Sequence, residues 1–348
     1  MIFTRSESAG HEQIVHCRDR RSGLRAIVAI HSTALGPSLG GIRMRDYSSE
    51  EEALVDVLRL SEAMTWKASV AGLDFGGGKA VVLGTPPPER RADVFRSLGR
   101  FVDSLSGRYV PTEDMGTYTP DVERLRETSR WGVGISAEQG GGGDPSSMTA
   151  WGVFCGLRAA IDAAKLAPGF AGKTVAVQGV GKVGRALVRY LLEAGAEVHV
   201  SDVVADRLEE AKRLGARVVP NETIHRERCD VFAPCAGGAV LSERTIPELA
   251  CKIVGGGANN QLAVETDDER LLERGIVYAP DFVINAGGLI NVADELGEGG
   301  YRRERALART EAIEPTLRRV FAESTSTSAP PGRVALALAR RRVEGAVA

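Results

Sequence analysis

The sequence predicts an α/β protein of two domains, the second a doubly wound parallel sheet. Three observations carry this. At 348 residues the chain exceeds the roughly 250–300 residues at which one hydrophobic core stops growing. Around residues 132–147 the composition turns to glycine, with Gly140-Gly141-Gly142-Gly143-Asp144-Pro145 at its centre, a run that holds neither helix nor strand well. Beyond it the β-rich runs Thr174–Gln178, Glu197–Ser201, Arg217–Val219, Cys229–Ala233 and Lys252–Val254 alternate with helix-length segments, the pattern of parallel strands joined by crossover helices. The expected division is residues 1–132, with a C-terminal helix from about 320 to 348, for the first domain and residues 133–319 for the second.

Within the first domain, Ile27, Val28 and Ile30 favour an extended segment over Leu24–His31. Ser48 with Glu51 three residues on predicts a capping box, and Leu54, Val57, Leu58 and Met64 then recur on one face of a helix ending near Lys67. Lys79–Leu83 has a short buried-strand pattern. Val94, Phe95, Leu98, Phe101, Val102 and Leu105 form a second helical stripe. At the other end, Ala335–Val347 is rich in Ala, Leu and Arg and predicts a helix able to pack back across another domain.

Composition narrows the function classes. Apolar residues make up 43% and charged residues 26%, ordinary globular values. The 44 basic and 46 acidic residues leave a formal charge of −2, spread along the chain, so no field draws in nucleic acid or an anionic membrane. The five cysteines, at 17, 155, 229, 235 and 251, form no CxxC pair and read as reduced thiols. No signal-peptide core or membrane-spanning stretch is present; the expected location is cytoplasmic. No HExxH or cysteine–histidine cluster stands at metal-ligand spacing, so no metal is expected.

Thr174–Gln178 reads as a strand, Gly179-Val180-Gly181-Lys182-Val183-Gly184 follows at once, and Arg185–Leu192 reads as a helix. In that context the first glycine permits a tight turn, the second lets a pyrophosphate approach the backbone, the third lets helix and strand pack closely, and the helix N-terminus supplies amide donors. Glu197–Ser201 then ends at Asp202, at the spacing of the acid that binds the adenosine ribose hydroxyls. Asp202 would repel a 2′-phosphate, and Arg207 stands five residues further on, so the expected cofactor is NAD.

Met64-Thr65-Trp66-Lys67 leads to Gly76-Gly77-Gly78-Lys79, placing two lysines at a helix end and a strand start. If they converge, a charged Lys67 would hold a substrate carboxylate, while burial and that positive neighbour would favour the neutral form of Lys79, able to act as a base. The three glycines would let substrate and cofactor approach. On pattern alone, both also fit ordinary surface lysines.

The segment Met64–Lys79, with Pro111-Thr112-Glu113-Asp114-Met115-Gly116-Thr117 after it, resembles the leucine, valine and phenylalanine dehydrogenase family. The likeness continues in Ala233–Ala236, Gly257–Gln261 and Tyr278–Gly288. It implies an N-terminal substrate-binding and oligomerisation domain, a homo-oligomer, and the reversible, NAD-dependent oxidative deamination of an L-amino acid to a 2-oxo acid and ammonium. By the same resemblance Lys67 binds the substrate carboxylate, Lys79 is the base that activates water, and Asp114 assists proton transfer. Asp114 taken alone fits a turn before Gly116 equally well. Asn260 would contact cofactor or substrate, and Thr149 and Ala236 fall beside the cofactor; Asn260 also fits a turn, and Thr149 a helix cap.

Leu39, Gly40, Gly41, Leu289 and Val292 fall on positions that resemble the substrate pocket, with core packing as the other reading of the apolar three. Leu289 and Thr112 depart from the residues usual in leucine-preferring relatives and should shrink or polarise the cavity. The expected preference is valine and other small branched side chains, with phenylalanine disfavoured; a phenylalanine-type enzyme and a catalytically silent NAD-binding homologue are the alternatives. A hydroxy-acid dehydrogenase would call for a histidine proton shuttle, and none of the five histidines sits in a glycine-rich block.

Overall fold

The computed structural model describes residues 10–347. The chain divides into two compact units. The first takes the described residues up to Asp144, with Asn291–Arg303 and the residues from Ala339 onward; the second takes Pro145–Ile290 and Glu304–Leu338. These limits differ from those expected at residue 132 and near 320. The glycine-rich stretch stays with the first unit, where the Glu295 carboxylate accepts the Gly134 and Gly142 amides at 3.0 and 2.8 Å.

The first unit is built on a mixed sheet of β1 (Gln13–Asp19), β2 (Leu24–Ser32), β3 (Ser38–Arg45), β4 (Gly76–Leu83) and β5 (Tyr109–Glu113), in the order β1-β2-β4-β3-β5. β1 and β4 run antiparallel to β2, whereas β3 is parallel to both β4 and β5. Helix α1 (Glu50–Val70) covers one face, setting Ala53, Val57 and Leu58 against Ile27, Ala29 and Val81. Helices α2 (Pro88–Ser104) and α3 (Thr119–Arg126) cover the other, with Phe95, Leu98, Val102 and Leu125 packed on Val28, Ile30, Ile42 and Ala80. Each such side chain contributes about 1.5–3 kcal/mol on full burial.

The cap of α1 sits one residue later than its sequence suggests. Ser49 is the N-cap, its hydroxyl accepting the Glu52 amide, while Ser48 donates its own amide to the Glu52 carboxylate at 2.8 Å. The helix also runs past Lys67 to Val70. β4 begins at Gly76 rather than at Lys79, so the triple glycine lies inside a strand. Its spaces are taken by the protein itself: a Cβ at Gly77 would stand 2.1 Å from the Thr65 amide nitrogen of α1, and one at Gly78 2.6 Å from the Tyr109 ring on the opposite face.

The second unit holds β6 (Thr174–Gln178), β7 (Glu197–Ser201), β8 (Arg217–Val218), β9 (Val231–Pro234), β10 (Ile253–Val254) and β11 (Val277–Tyr278), all parallel, in the order β11-β10-β9-β6-β7-β8. Five of the six were legible in sequence; β11, at two residues, is too short to show a period. Counted within the unit, the order is 3-2-1-4-5-6, which reverses direction between β6 and β9 and opens a crevice at their carboxyl ends. The helices are α4 (Ser146–Ala163), α5 (Lys182–Glu193), α6 (Ala205–Leu214), α7 (Asp267–Glu273), α8 (Asp281–Ile284), α9 (Gly287–Asp294), α10 (Arg303–Glu311), α11 (Ile313–Thr327) and α12 (Pro331–Val347). The last turns of α12 belong to the first unit, where Ala339 accepts from the Ser69 hydroxyl at 2.7 Å and Arg342 pairs with Asp74 at 2.6 Å. Among the described residues no helix is long and apolar enough to cross a membrane.

Candidate active site

Lys79 leaves β4 on the α1 face of the sheet, beside Ala29 of β2, and is only 5% exposed. Its Nζ lies 2.8 Å from Asp114 Oδ2, just past the end of β5. Gly41 of β3 separates the strands that carry them. A Cβ there would stand 2.6 Å from Asp114 Cβ and 3.2 Å from Lys79 Nζ, so a side chain at Gly41 would push the pair apart. The contact found for Lys79 is thus an anion, whereas the lysine spacing suggested a positive neighbour.

Asp114 has a second cationic partner, Arg43 of β3, whose Nε lies 3.1 Å from the same Oδ2. Burial raises the pKa of this carboxyl, but Lys79 and Arg43, helped by the Met115 amide, outweigh burial and hold it well below the usual carboxylate range. Its carboxylate therefore faces the two cations, while the neighbouring turn is closed by Thr117, whose amide donates to the Asp114 carbonyl and whose hydroxyl accepts the Asp114 amide. Lys67 sits half-buried in the last turn of α1. It is one turn beyond Met64, whose Cγ would be 3.2 Å from a Cβ at Gly40.

In the second unit, Gly179 has φ +89°, and a Cβ on it would lie 2.6 Å from that of Ala236, which follows β9. A Cβ on Gly184 would lie 1.9 Å from the Gly179 carbonyl oxygen, so helix α5 meets its strand at backbone distance. Gly181 is different. It is the N-cap of α5, with no side-chain cap, and a Cβ on it would meet only Arg207 Nη1, at 3.9 Å. Open space before an uncapped helix N-terminus fits a pyrophosphate. Asp202 Oδ2 accepts the Val180 amide at 2.8 Å and Oδ1 the Val204 amide at 2.9 Å, which fixes the acid beside the turn. Arg207 also approaches it, at 3.6 Å: α6 starts at Ala205 and its first turn brings residue 207 back to the strand end, a proximity that linear spacing concealed.

The family description Glu/Leu/Phe/Val dehydrogenase, dimerisation domain, matches residues 11–131, and the description Glutamate/Leucine/Phenylalanine/Valine dehydrogenase matches residues 140–205 and 200–303. The chain belongs to the Glu/Leu/Phe/Val dehydrogenase family. It is 46% identical to a leucine dehydrogenase of Thermoactinomyces intermedius over 344 residues, 99% of this chain and 93% of that one. It is 45% identical to a valine dehydrogenase of Streptomyces virginiae over 345 residues, 98% and 96% of the two chains. The structure of L-tryptophan dehydrogenase from Nostoc punctiforme superposes with a TM-score of 0.88 at 38% identity, covering 100% of both chains. The chain is therefore an amino-acid dehydrogenase, an oxidoreductase that depends on a dinucleotide and acts on small molecules.

Most expected site residues of the dehydrogenase fall into local groups. Leu39, Gly40, Gly41, Lys67, Lys79, Asp114 and Val292 lie in the first unit; Thr149, Gly179–Gly184, Asp202, Ala236, Asn260 and Leu289 lie in the second. Thr149 is not a cap: Pro145 holds the N-cap position of α4, and the Thr149 hydroxyl donates back to its carbonyl at 3.1 Å. That hydroxyl would stand 2.6 Å from a Cβ at Gly288. Asn260 is exposed at a loop tip with φ +50°. The loop beneath it is braced by Gln261, whose side-chain amide donates to the Gly256 and Ala258 carbonyls at 2.8 and 3.0 Å. Leu39, Leu289 and Val292 are all buried.

Sequence reasoning missed Arg43, and with it Asp56 and Tyr47, because nothing local marks an arginine that sits between two carboxylates 13 and 71 residues away. Only the alternation of β3, which sends Gly41 and Arg43 to the same face, could have hinted at it.

Proposed function

We propose that this dehydrogenase catalyses the NAD-dependent, reversible oxidative deamination of a branched-chain L-amino acid, with valine-type side chains preferred. The observation that carries this is the pair of buried Lys79 and half-buried Asp114, 2.8 Å apart, seated against a position where only glycine leaves room. The net reaction takes the L-amino acid, NAD⁺ and water to the 2-oxo acid, ammonium, NADH and a proton. The Lys67 ammonium holds the substrate carboxylate. Lys79, in its neutral form, takes a proton from the water that adds to the iminium carbon. Asp114, kept anionic, orients Lys79 Nζ and accepts a hydrogen bond from the substrate amine or the adding water, assisting the proton transfer. NAD⁺, when bound, accepts the hydride from the substrate α-carbon. The open cradle at Gly181 would take its pyrophosphate and Asp202 its adenosine ribose.

Asp202 supports NAD over NADP, and the nearby Arg207 tempers that preference. For the side chain, buried Leu39, Leu289 and Val292 support an aliphatic substrate, and Thr112 adds a buried hydroxyl without a partner. An aromatic preference is the second reading, favoured by the full-length likeness to the Nostoc tryptophan dehydrogenase. Steady-state kinetics on a panel of L-amino acids with NAD⁺ and NADP⁺ tests all of this. The best kcat/KM should fall on valine with NAD⁺, with neighbours differing by one methylene losing about 10–200-fold. A best value on an aromatic substrate overturns the aliphatic reading.

We also propose a homo-oligomer, supported by the match of residues 11–131 to a dimerisation domain and testable by light scattering. A cytoplasmic location is supported by five free cysteines, as expected in a reducing compartment.

A further inference from the structure

We propose that Arg43 is a positioning residue for the reaction, the permanent counter-ion that keeps Asp114 charged and aimed while Lys79 gives up its proton. This rests on Lys79 being the base.

Arg43 leaves β3 opposite Val81, two residues past Lys79 on β4, so strand alternation puts both side chains on the α1 face. Its guanidinium is held at two points. Nε meets Asp114 Oδ2 at 3.1 Å, and Nη1 meets Asp56 of α1, 3.2 Å from Oδ2 and 3.4 Å from Oδ1. Asp56 is fixed in turn by the Tyr47 hydroxyl at 2.9 Å and by Arg59 at 3.1 Å. The result is a row of alternating charge, Asp56, Arg43, Asp114, Lys79, anchored at its far end on a helix.

The charge count shows what Arg43 does. While Lys79 is protonated, Asp114 has two cations on one oxygen. When Lys79 is neutral, it has one, and that one is an arginine, which does not deprotonate in proteins. Without Arg43, Lys79 would be the one cation paired with Asp114 among the described residues, and every proton leaving Lys79 would strand a half-buried carboxylate. Tyr109 of β5, on the opposite face of the sheet, is pushed well above its ordinary range by burial, with Asp114 adding to it. It stays neutral and donates to the Gly40 carbonyl at 2.9 Å. The planar fork also matters, because it reaches Asp56 and Asp114 together where a lysine reaches one.

The test uses the full-length protein with Arg43→Gln, Arg43→Lys and Asp56→Asn, reading kcat, KM, the pH profile of kcat/KM, melting and NADH binding. Arg43→Gln should lower kcat at least about a hundred-fold and move the acid limb of the profile up by about one pH unit or more, with NADH affinity close to wild type and a lower melting temperature, since two carboxylates lose a partner. Arg43→Lys should keep the acid limb near its wild-type position and recover part of kcat. Asp56→Asn should lower kcat about tenfold by freeing the guanidinium, without raising the acid limb, since it removes an anion rather than a cation. A folded Arg43→Gln protein with kcat within about fivefold of wild type and an unmoved acid limb overturns the proposal. Should that variant not fold, wild-type kcat in both Arg43→Lys and Asp56→Asn overturns it instead. A wild-type protein that oxidises no L-amino acid with NAD⁺ sinks the underlying reaction and is thereby told apart from a failure of Arg43.

Discussion

Gly76–Gly78 of the first unit and Gly179–Gly184 of the second are both glycine-rich stretches beside an expected chemical group, yet the space at their missing side chains is used differently. At Gly77 the volume of a Cβ is occupied by the backbone of α1, and at Gly78 by the Tyr109 ring. At Gly181 it is open but for one arginine tip 3.9 Å away. The first set of glycines lets protein pack against protein, which is what buries Lys79 and brings it to Asp114. In the second, Gly179 and Gly184 also pack against protein, and Gly181 leaves open space, where the pyrophosphate is proposed to sit. Glycine in a motif therefore has two distinct uses, and the atoms around it tell them apart.

The largest effect that would break this contrast is at Gly77. Gly77→Ala sets a Cβ 2.1 Å from a backbone nitrogen, beyond the usual cost of overpacking, about 1–3 kcal/mol, because neither strand nor helix backbone can step aside. The expected outcome is little soluble folded protein, read by expression and circular dichroism; a wild-type melting curve would refute the packing role.

Lys79→Ala should come next, lowering kcat by about 10²–10⁴-fold, the usual share of a general base, while NADH affinity measured by fluorescence stays near wild type. Near-normal turnover would remove Lys79 from the mechanism. Gly181→Ala should do the reverse and more mildly. The position has φ −65°, which alanine adopts readily, so melting should hold while NADH binding weakens about tenfold, some 1.4 kcal/mol. Unchanged NADH binding would show that nothing docks in the cradle.

The smallest effects concern two carboxylates, half-buried Asp114 and buried Asp268. Asp114 is held below its ordinary pKa by Lys79 and Arg43 against the opposing effect of burial, so its contribution to stability is present above the usual carboxylate range and fades as pH falls through it toward the folded value. For Asp268, in the second unit, burial wins, because the cation acting on it, Arg333, is exposed and paired with Glu269. Burial raises it to about 6, opposed by the Gly332 and Arg333 amides at the start of α12. With the folded value above the unfolded one, its favourable contribution is complete below about pH 4 and is lost as pH rises through 6. Asp268→Asn should therefore raise stability at pH 7–8 by about 1–3 kcal/mol and flatten the pH dependence of melting between 4 and 6. An unchanged or lower melting temperature at pH 8 would contradict this.

How far the sequence could be read follows the same division. Five of the second unit's six strands were legible because each is a short apolar run between turn residues, and local pattern suffices for a parallel sheet covered on both faces. In the first unit β1, β3 and β5 were not seen. β3 carries Gly40 and Gly41 and β5 carries Pro111, residues that speak for turns when taken alone and are admitted to these strands by what packs beside them. The roles proposed for Lys79 and Asp114 rest on resemblance, since neither side chain announces its partner locally. Arg43 was missed for that reason.

By itself the sequence determined the two-domain α/β class, the glycine fingerprint between strand and helix with Asp202 after the next strand, and the family through motifs spread over most of the chain. These are properties of neighbours within some thirty residues, encoded in local periodicity and spacing. Only the tertiary structure decided that Lys79 meets a carboxylate, that Arg43 joins Asp114 to Asp56, and that Arg207 turns back to Asp202. Those pairings are made by strands side by side in a sheet and by a helix folding over it. Their register depends on packing across the whole unit, which residue order along the chain does not carry.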